Sequence, residues 1–257
     1  MIDPRAVVHE QAQLDEGVEV GPFAVIGGKV KIGAGTTVCA HAVIEDHVTI
    51  GRDNYIGTFA HIGGPPQHVA YKGEETTLTV GDGNRIREYV TMHRGTAAGR
   101  GDTRVGSDNF IMIGSHIAHD CVLGDRITMA NLATLGGHVV VEDDVVFGGF
   151  SGLHQYCRAG RVAMLAAGTK ATKDVPPFSM VGGEPPRFVG LNRVGLRRVN
   201  MDEQSRSAVR KAYRIIFKKG EKLEDGLARA EQELGEVAEV RYVINFIKES
   251  SRGVLRD

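Results

Sequence analysis

The sequence predicts a mainly β protein in which a solenoid of stacked hexapeptide repeats precedes a small α-helical C-terminal domain. Three observations lead to this fold class. Apolar residues recur at every sixth position, glycine often follows them, and a helical spacing replaces the period of six after Pro176 and Pro177. A period of six fits no α-helix, whose faces repeat every 3.6 residues. It fits a short strand and a turn that stack on similar neighbours.

The repeat starts near the N-terminus. The first position of each hexad is apolar in an unbroken series: Ile2, Val8, Leu14, Val20, Ile26, Ile32, Val38, Ile44, Ile50, Ile56 and Ile62. A small or β-branched residue usually stands four positions later, with Asn54 as the exception. The large and the small residue should point inward together and fill a narrow core.

Two lapses interrupt the repeat. Hexads resume at Val80 after the first lapse and at Val105 after the second, and they continue to Ala171. The step from Met92 to Val105 exceeds two hexads by one position, so the second lapse shifts the phase of the repeat. We therefore predict a β-helix domain over residues 1–186 with inserted loops at 64–79 and 95–104.

The remaining residues, 187–257, are predicted to form the helical domain. Helices are expected near 188–199, 203–218, 222–234 and 238–250. Apolar residues such as Ala212, Ile215 and Ile216 recur there at helical spacing. Gly220 is placed to stop one helix before the next begins.

Cysteine usage and hydropathy indicate the cellular compartment of the protein. The three cysteines (Cys39, Cys121 and Cys157) form no paired motif, which argues against a disulfide framework and favours a reducing compartment. The first residues do not resemble a signal peptide. No run of about 18 apolar residues occurs, so no transmembrane helix is expected. We predict a cytoplasmic protein with no stable membrane insertion.

Charge is distributed unevenly along the chain. The net charge is −1, yet residues 153–222 carry 15 Lys and Arg against 5 Asp and Glu. Such a block suggests an anionic partner. No nucleic-acid-binding motif accompanies it, so a nucleic-acid partner is not expected.

The hexad frame places several polar residues on the outer wall. With three hexads in each coil, His119, Gly137 and Gln155 should stack in one column. Asp120, His138 and Tyr156 should form the adjacent column. Cys121 and Cys157 occupy fifth positions and are expected to fill the core rather than act as nucleophiles.

This cluster suggests acyl transfer by general-base catalysis. A neutral imidazole can take a proton from a hydroxyl group as its oxygen attacks a thioester. A neighbouring carboxylate can fix the imidazole tautomer, and a glycine N–H can hydrogen-bond the developing oxyanion. The competing interpretation is a metal site built from His116, His119, His138 and His154. His116 and His119 lie on different hexads, which disfavours a shared ion, and no metal is predicted.

Several motifs carry a more specific resemblance, to the family of UDP-N-acetylglucosamine O-acyltransferases, which act first in lipid A synthesis. The resemblance covers nearly the whole chain. Its motifs are Ile86-Arg87-Glu88, Met92-His93-Arg94-Gly95-Thr96, Ile117-Ala118-His119-Asp120-Cys121, Leu135-Gly136-Gly137-His138, His154-Gln155-Tyr156-Cys157, Asp174-Val175-Pro176-Pro177, Gly190-Leu191-Asn192 and Leu196-Arg197-Arg198.

The resemblance implies a left-handed parallel β-helix and a homotrimer with active sites between neighbouring subunits. It implies transfer of a 3-hydroxyacyl chain from acyl carrier protein to the 3-hydroxyl of UDP-N-acetylglucosamine. No cofactor is implied, because the phosphopantetheine thioester is itself the co-substrate. The basic block would face the acidic carrier protein.

The family also implies roles for individual residues. His119 would be the base, Asp120 its partner and Gly137 the oxyanion donor. The predicted substrate-binding set is His116, His138, His154, Gln155, Asn192 and Arg198, together with His68 and Ala167, which stand at positions that depart from the family pattern.

Four positions depart from the family pattern. His68 and Ala70 stand where many members have Asp and Lys. Val194 replaces an acidic nucleotide contact. Ala167 occupies the position that sets acyl-chain length, often Gly, so a shorter chain is expected.

Three alternative functions are also compatible with the sequence. The departure at His68 raises the alternative of a 3-amino UDP-sugar acceptor. An acetyl-CoA-dependent hexapeptide acetyltransferase is a second alternative, although the helical tail and paired arginines disfavour it. A silent scaffold or metal-binding β-helix is the third.

Overall fold

The computed structural model describes residues 1–256 and confirms the predicted fold class. Short strands stack into three sheets, and every pairing along the prism is parallel except the last one in the third sheet. The result is a left-handed parallel β-helix followed by four helices.

The three sheets are the faces of the prism. The first sheet contains β1 (Val7–Val8), β4 (Val25–Ile26), β7 (Val43–Ile44), β10 (His61–Gly64), β13 (Thr91–His93), β16 (His116–Ile117), β19 (Thr134–Leu135), β22 (Gly152–Leu153) and β25 (Lys170–Ala171). The second sheet contains β2 (Gln13–Leu14), β5 (Val30–Ile32), β8 (Val48–Ile50), β11 (Thr77–Val80), β14 (Asp102–Val105), β17 (Val122–Leu123), β20 (Val140–Val141) and β23 (Arg158–Ala159).

The third sheet ends in an antiparallel hairpin. It contains β3 (Glu19–Val20), β6 (Thr37–Val38), β9 (Tyr55–Ile56), β12 (Arg85–Ile86), β15 (Phe110–Ile111), β18 (Thr128–Met129), β21 (Val146–Phe147), β24 (Met164–Leu165), β26 (Ser179–Gly182) and β27 (Arg187–Leu191).

The strand register gives the number of hexads in each coil and the size of the two insertions. Val7 pairs with Val25, and Val25 with Val43, so each coil comprises three hexads. His61 pairs with Thr91, two hexads later than the regular register, because a loop over 65–76 lies between β10 and β11. Thr91 pairs with His116, one hexad and one further position late, because a second loop over 94–101 separates β13 from β14. The second insertion alone breaks the multiple of six, as the sequence indicated.

The core follows the hexad frame. First-position residues such as Ile44 and fifth-position residues such as Ala42 are almost fully buried. Burial of one isoleucine side chain stabilises the fold by about 1.5–3 kcal/mol. The polar fifth positions Asn54, Asn84 and Asn109 are buried as well, and each side-chain oxygen accepts a backbone N–H from the next coil. This ladder satisfies the polar groups that the apolar pattern leaves inside.

The corners of the prism depend on left-handed backbone at the fourth hexad position. Phe23, His41, Asp120, His138 and Tyr156 all have φ between 59° and 64°. This conformation is unfavourable for residues with a side chain. Hydrogen bonds between coils offset the strain, for example from the N–H of His138 to the carbonyl of His119. The corners therefore aim fourth-position side chains outward in regular columns.

The C-terminal helices are α1 (Arg193–Arg198), α2 (Glu203–Ile216), α3 (Leu223–Leu234) and α4 (Ala238–Lys248). The helix predicted from residue 188 is wrong in its first half. Residues 187–191 instead form β27, because they pair antiparallel with β26. Helices α2 to α4 lie inside the predicted ranges.

The helices share a second apolar core with the end of the β-helix, to which Val162 and Phe178 contribute. The proposed division between residues 186 and 187 stays a prediction. Strand β27, which follows residue 186, extends the third sheet of the prism. Within residues 1–256, no helix has the length and apolar character needed to cross a membrane.

Candidate active site

One corner of the prism carries both insertions and the predicted base. Both loops leave the first sheet at its border with the second, and the turn between β16 and β17 lies at the same border. Asp120, His138 and Tyr156 occupy successive fourth positions there, and we call this column the site corner. Loops and corner together enclose His119, which is 9% exposed, and Asp120, which is 1% exposed. The hexad frame placed both residues outward but gave no sign of this burial.

His119 and Asp120 form a hydrogen-bonded pair. His119 Nδ1 lies 2.8 Å from Asp120 Oδ2. An ionised carboxylate can only accept, so this bond assigns the proton of neutral His119 to Nδ1. Nε2 then carries the lone pair that a general base needs.

The carboxylate of Asp120 accepts further hydrogen bonds from the second loop. The Thr96 hydroxyl donates to Oδ2 at 2.7 Å, and the N–H groups of Thr96 and Arg100 donate to Oδ1 at 3.1 and 2.8 Å. Burial by itself raises the pKa of Asp120, but the bonds from Thr96, His119 and Arg100 outweigh it and hold the pKa below its ordinary value. Asp120 is therefore an anion at neutral pH.

Two aromatic rings pack against the imidazole of His119, and a third stacks on one of them. His68 approaches from the first loop with its ring centroid 5.4 Å away, and His138 of the next coil lies at 5.2 Å, both edge-on. Tyr156 stacks flat on His138 at 4.4 Å. Burial lowers the pKa of His138, although the charge of Asp120 partly opposes this. His138 is thus expected to be neutral near pH 7.

Gly137 lies directly against His119, as the column of stacked third positions predicted. A Cβ atom built on Gly137 would be 2.6 Å from Cε1 and 2.9 Å from Nε2 of that imidazole. Any side chain at this position would displace the ring. Its N–H donates to no other group within residues 1–256, so it is available to a ligand.

A groove with apolar walls continues from this point along the first sheet. Gln155 and His154 are exposed at its edge, and Arg252 Nη2 lies 3.4 Å from His154 Nδ1. Its lining residues are Thr134, Gly136, Gly152, Leu153, His154, Gln155, Lys170, Ala171 and Thr172. Ala167 does not line this groove and is exposed at the border between the third and first sheets.

His116 belongs to a separate histidine pair. Its Nδ1 lies 2.7 Å from the Thr91 hydroxyl, and its ring packs edge-on against His93 at 4.8 Å. Burial and neighbouring histidines lower the pKa of His93 to about 4, and burial and His119 lower that of His116. Both residues are held neutral beside the His119–Asp120 pair.

The predicted nucleotide residues lie elsewhere on the chain. Asn192 is buried as the N-cap of α1, where it accepts the N–H of Gly195 and donates to the carbonyl of Val162. Arg198 lines a cleft with Arg126, Asp144 and Arg161, at the border between the second and third sheets. The fold of one chain therefore does not bring Arg198 to His119.

A larger groove between the second sheet and α4, lined in part by Val141, Arg161 and Tyr242, contains none of the predicted site residues.

The carboxylate oxygens of Asp120 are already engaged in hydrogen bonds, which bears on the alternative of a metal site. Ligand atoms of His119, Asp120 and His138 lie within 4.8 Å of one another, which leaves out His116 and His154. Both carboxylate oxygens of Asp120 already accept strong donors, and His119 Nδ1 is one of them. An ion would have to displace these bonds, so the donor set favours a proton-transfer pair.

Sequence reasoning missed the residues that enclose the pair. Thr96 and Arg100 lie in a loop where the period of six lapses, so the hexad frame assigned them no direction. His93 and Thr96 stand in one of the family motifs, but the motif assigned neither of them a role. A run of small and polar residues after Met92, with Gly95, Gly99 and Gly101, was the available signal for a tightly packed loop.

The prism, its two inserted loops and the histidine–carboxylate pair define a hexapeptide-repeat acyltransferase. Comparison with known proteins narrows the class. A family model described as UDP-N-acetylglucosamine O-acyltransferase, domain 2, matches residues 174–255. The acyl-[acyl-carrier-protein]–UDP-N-acetylglucosamine O-acyltransferases of Syntrophobacter fumaroxidans and Alkalilimnicola ehrlichii are 44% and 49% identical to this chain, and each match covers 99% of both proteins.

Solved structures agree with these relatives. LpxA of Acinetobacter baumannii superposes with a TM-score of 0.96 at 37% identity, covering 99% of each chain. The UDP-N-acetylglucosamine acyltransferase of Francisella novicida gives 0.97 at 36% identity, covering 100% of this chain and 94% of that one. The chain belongs to the family of acyl-[acyl-carrier-protein]–UDP-N-acetylglucosamine O-acyltransferases.

Proposed function

We propose that this protein transfers a 3-hydroxyacyl chain from acyl carrier protein to the 3-hydroxyl of UDP-N-acetylglucosamine, the first step of lipid A synthesis, with His119 as general base. The observation that carries the mechanism is the 2.8 Å bond between His119 Nδ1 and the buried anion Asp120. It leaves Nε2 free to accept a proton on the open side of the ring.

The reaction then needs no covalent enzyme intermediate. His119 Nε2 takes the proton of the sugar hydroxyl as the oxygen attacks the thioester carbon. Asp120 stabilises the imidazolium that forms, and the N–H of Gly137 donates to the oxyanion. When the tetrahedral intermediate collapses, the C–S bond breaks and the thiolate of phosphopantetheine recovers the proton from Nε2. His119 returns to its starting state, so no cofactor or metal is required.

Substrate groups can be assigned to surfaces next to this pair. The apolar groove beside Gln155 and His154 suits an acyl chain, and His68 and His138 are placed to contact the sugar. The cleft at Arg198 suits a diphosphate because Arg126 and Arg161 share it. The exposed arginines of α1 and α2, among them Arg197, Arg210 and Arg214, suit an acidic carrier protein.

The same proposal includes a cytoplasmic homotrimer. Arg198 and His119 lie at different corners of one prism, so a second copy is needed to bring a nucleotide cleft to each base. A contact between two different corners is heterologous, and a threefold rotation closes such contacts into a ring of three copies. The buried, unpaired thiols of Cys121 and Cys157 suit a reducing compartment.

A transfer assay with 3-hydroxyacyl carrier proteins of several chain lengths and UDP-N-acetylglucosamine tests the proposal. The parent protein should transfer, and His119→Ala should reduce kcat on the order of 10²- to 10⁴-fold. His9→Ala is the matched control, because His9 is exposed on the first coil and should leave kcat unchanged.

Two outcomes would redirect the assignment. Transfer only to the 3-amino analogue of the sugar would keep the mechanism and make His68, whose ring packs on His119, the cause of acceptor choice. Activity retained in His119→Ala would contradict the proposed base.

A further inference from the structure

The second loop donates more hydrogen bonds to Asp120 than the proposed reaction needs. The side chain of Asp120 is fully buried, and three donors reach it from this loop: the hydroxyl and N–H of Thr96 and the N–H of Arg100. Only one donor, His119 Nδ1, belongs to the proposed reaction. Thr96 is itself 3% exposed, so the residue is largely shielded from bulk water.

Oδ2 of Asp120 is where two possible histidine partners compete. His119 Nδ1 lies at 2.8 Å and His138 Nε2 at 3.6 Å from the same oxygen. The Thr96 hydroxyl binds this oxygen at 2.7 Å. With Thr96 on Oδ2 and two backbone N–H groups on Oδ1, the carboxylate cannot rotate towards His138 without losing bonds on both oxygens.

The loop is fixed on both sides of Thr96. The N–H of Gly95 donates to the carbonyl of Thr77, and the N–H of Thr77 donates to the carbonyl of Gly101. The guanidinium of Arg94 donates to the carbonyl of Gly63 at 2.9 Å, and its second amino group lies 3.2 Å from the Tyr71 hydroxyl. These bonds connect the second loop to β10, β11 and the first loop, and together they hold the segment around Thr96 in place.

Gly99 shows how tightly the loop packs on the carboxylate. A Cβ atom at this position would lie 2.6 Å from Cγ, Oδ1 and Oδ2 of Asp120. Only glycine lets the backbone pass this close. The turn brings the N–H of Arg100 into bonding range at the same time.

We propose that Thr96 is a positioning residue, which directs the Asp120 carboxylate to His119 and so fixes the proton of His119 on Nδ1. This inference rests on the proposed general-base function. Thr96 touches neither substrate nor the reacting atoms and acts only through Asp120. Without its hydroxyl, Asp120 would lose its shortest hydrogen bond and could turn towards His138.

Thr96→Val and Thr96→Ser in the full-length protein test this role. Thr96→Val should lower kcat on the order of 10- to 100-fold, the loss expected for a hydrogen bond to a buried charge, with little change in KM for the sugar nucleotide. Thr96→Ser keeps the hydroxyl and should restore most of kcat. Thr76→Val is the matched control, because Thr76 is buried and its hydroxyl has no partner within residues 1–256.

A spectroscopic measurement separates this inference from the proposed function. The ¹⁵N shifts of His119, assigned by their absence in His119→Ala, report the tautomer without any substrate. The parent should show protonated Nδ1, and Thr96→Val should show a mixture of both tautomers. If the parent shows this tautomer pattern but no acyl transfer, the proposed function fails while the positioning role stands.

The contrary results are equally defined. An unchanged His119 tautomer in Thr96→Val overturns the inference, and so does equal loss of kcat in Thr96→Val and Thr96→Ser. If Thr96→Val does not fold, Gly99→Ala takes its place, because its methyl group pushes on the same carboxylate. Unchanged tautomer and kcat in Gly99→Ala would overturn the inference as well.

Discussion

Two corners of the prism share the same left-handed backbone conformation, but only one of them carries the candidate site. At the border between the third and first sheets, Phe23, His41, Phe59 and Tyr89 occupy successive left-handed fourth positions, and we call this column the aromatic corner. Its rings stack at centroid distances of 5.0–5.2 Å. The site corner also stacks rings, with His138 on Tyr156 at 4.4 Å. Conformation and stacking alone therefore do not make a site.

The difference lies in what covers each corner. No strand-to-strand connection at the aromatic corner carries an insertion, and Phe59 and Tyr89 remain 46% and 56% exposed. Both inserted loops fold over the site corner and reduce the exposure of Asp120 to 1%. Burial strengthens the interaction between a carboxylate and an imidazole, because solvent screening is lost. The insertions, rather than the hexads, convert an ordinary turn into a candidate catalytic centre.

The largest expected effect comes from removing the negative charge of Asp120 at the site corner. Asp120→Asn keeps the side-chain shape but places an amide against the N–H donors of Thr96 and Arg100, and it no longer fixes the His119 tautomer. We expect kcat to fall on the order of 10³-fold or more. Steady-state kinetics on the purified variant measure this loss.

Asp53→Asn provides the comparison on an uncovered turn. Asp53 has φ 55° and is exposed, and Asn tolerates this conformation. Its kcat should equal that of the parent. A similar loss in both variants would mean that left-handed turns, and not burial by the loops, determine activity.

The sequence was sufficient wherever the period of six continues. Because His119 and Gly137 occupy the same hexad position one coil apart, the frame predicted their contact, and the structure shows it. It also predicted that Cys121 and Cys157 fill the core, and both are fully buried. Regular stacking converts sequence distance directly into spatial distance, which is why these contacts were predictable.

Prediction failed where the period lapses or another contact prevails. The bonds from Thr96 to Asp120 join residues 24 positions apart across an irregular loop, and no periodicity encodes them. Residues 188–191 were assigned to the start of a helix, but they pair with the free edge of β26 and belong to β27. The nucleotide contact expected of Asn192 stays a prediction, whereas its role as the cap of α1 was not predicted. Such contacts depend on the assembled fold.

A smaller effect is expected from adding one methyl group at the site corner. The Cβ of Gly137→Ala would lie 2.6 Å from the His119 imidazole and must displace it. A shift of about 1 Å in a catalytic group costs on the order of 100-fold in rate. Initial rates under saturating substrate measure this change.

The third-position glycine at the aromatic corner is the control for that substitution. A Cβ on Gly149 meets only the carbonyl oxygen of Asn131, at 3.5 Å, which is an ordinary contact. Gly149→Ala should therefore retain the parent rate. If Gly137→Ala were as active as Gly149→Ala, the close approach of Gly137 to His119 would have no catalytic importance.

The smallest expected effect is a pH dependence of stability that arises beside the site corner. His93 is 7% exposed and its Nδ1 has no hydrogen-bond partner within residues 1–256. Burial lowers its pKa from 6.5 to about 4. The unfolded chain therefore binds a proton at this residue between those values while the folded chain does not, so stability falls as pH falls. Linkage gives a loss of about 2 kcal/mol between pH 7 and pH 5.

Urea unfolding of the parent and of His93→Gln, repeated across this pH range, isolates the contribution. The variant should lose the part of the slope that His93 supplies. Equal slopes in the two proteins would show that His93 binds its proton equally well in the folded and the unfolded chain. The environment of His93 would then tolerate a charged imidazole. The site corner and the aromatic corner would differ less in burial than the geometry indicates.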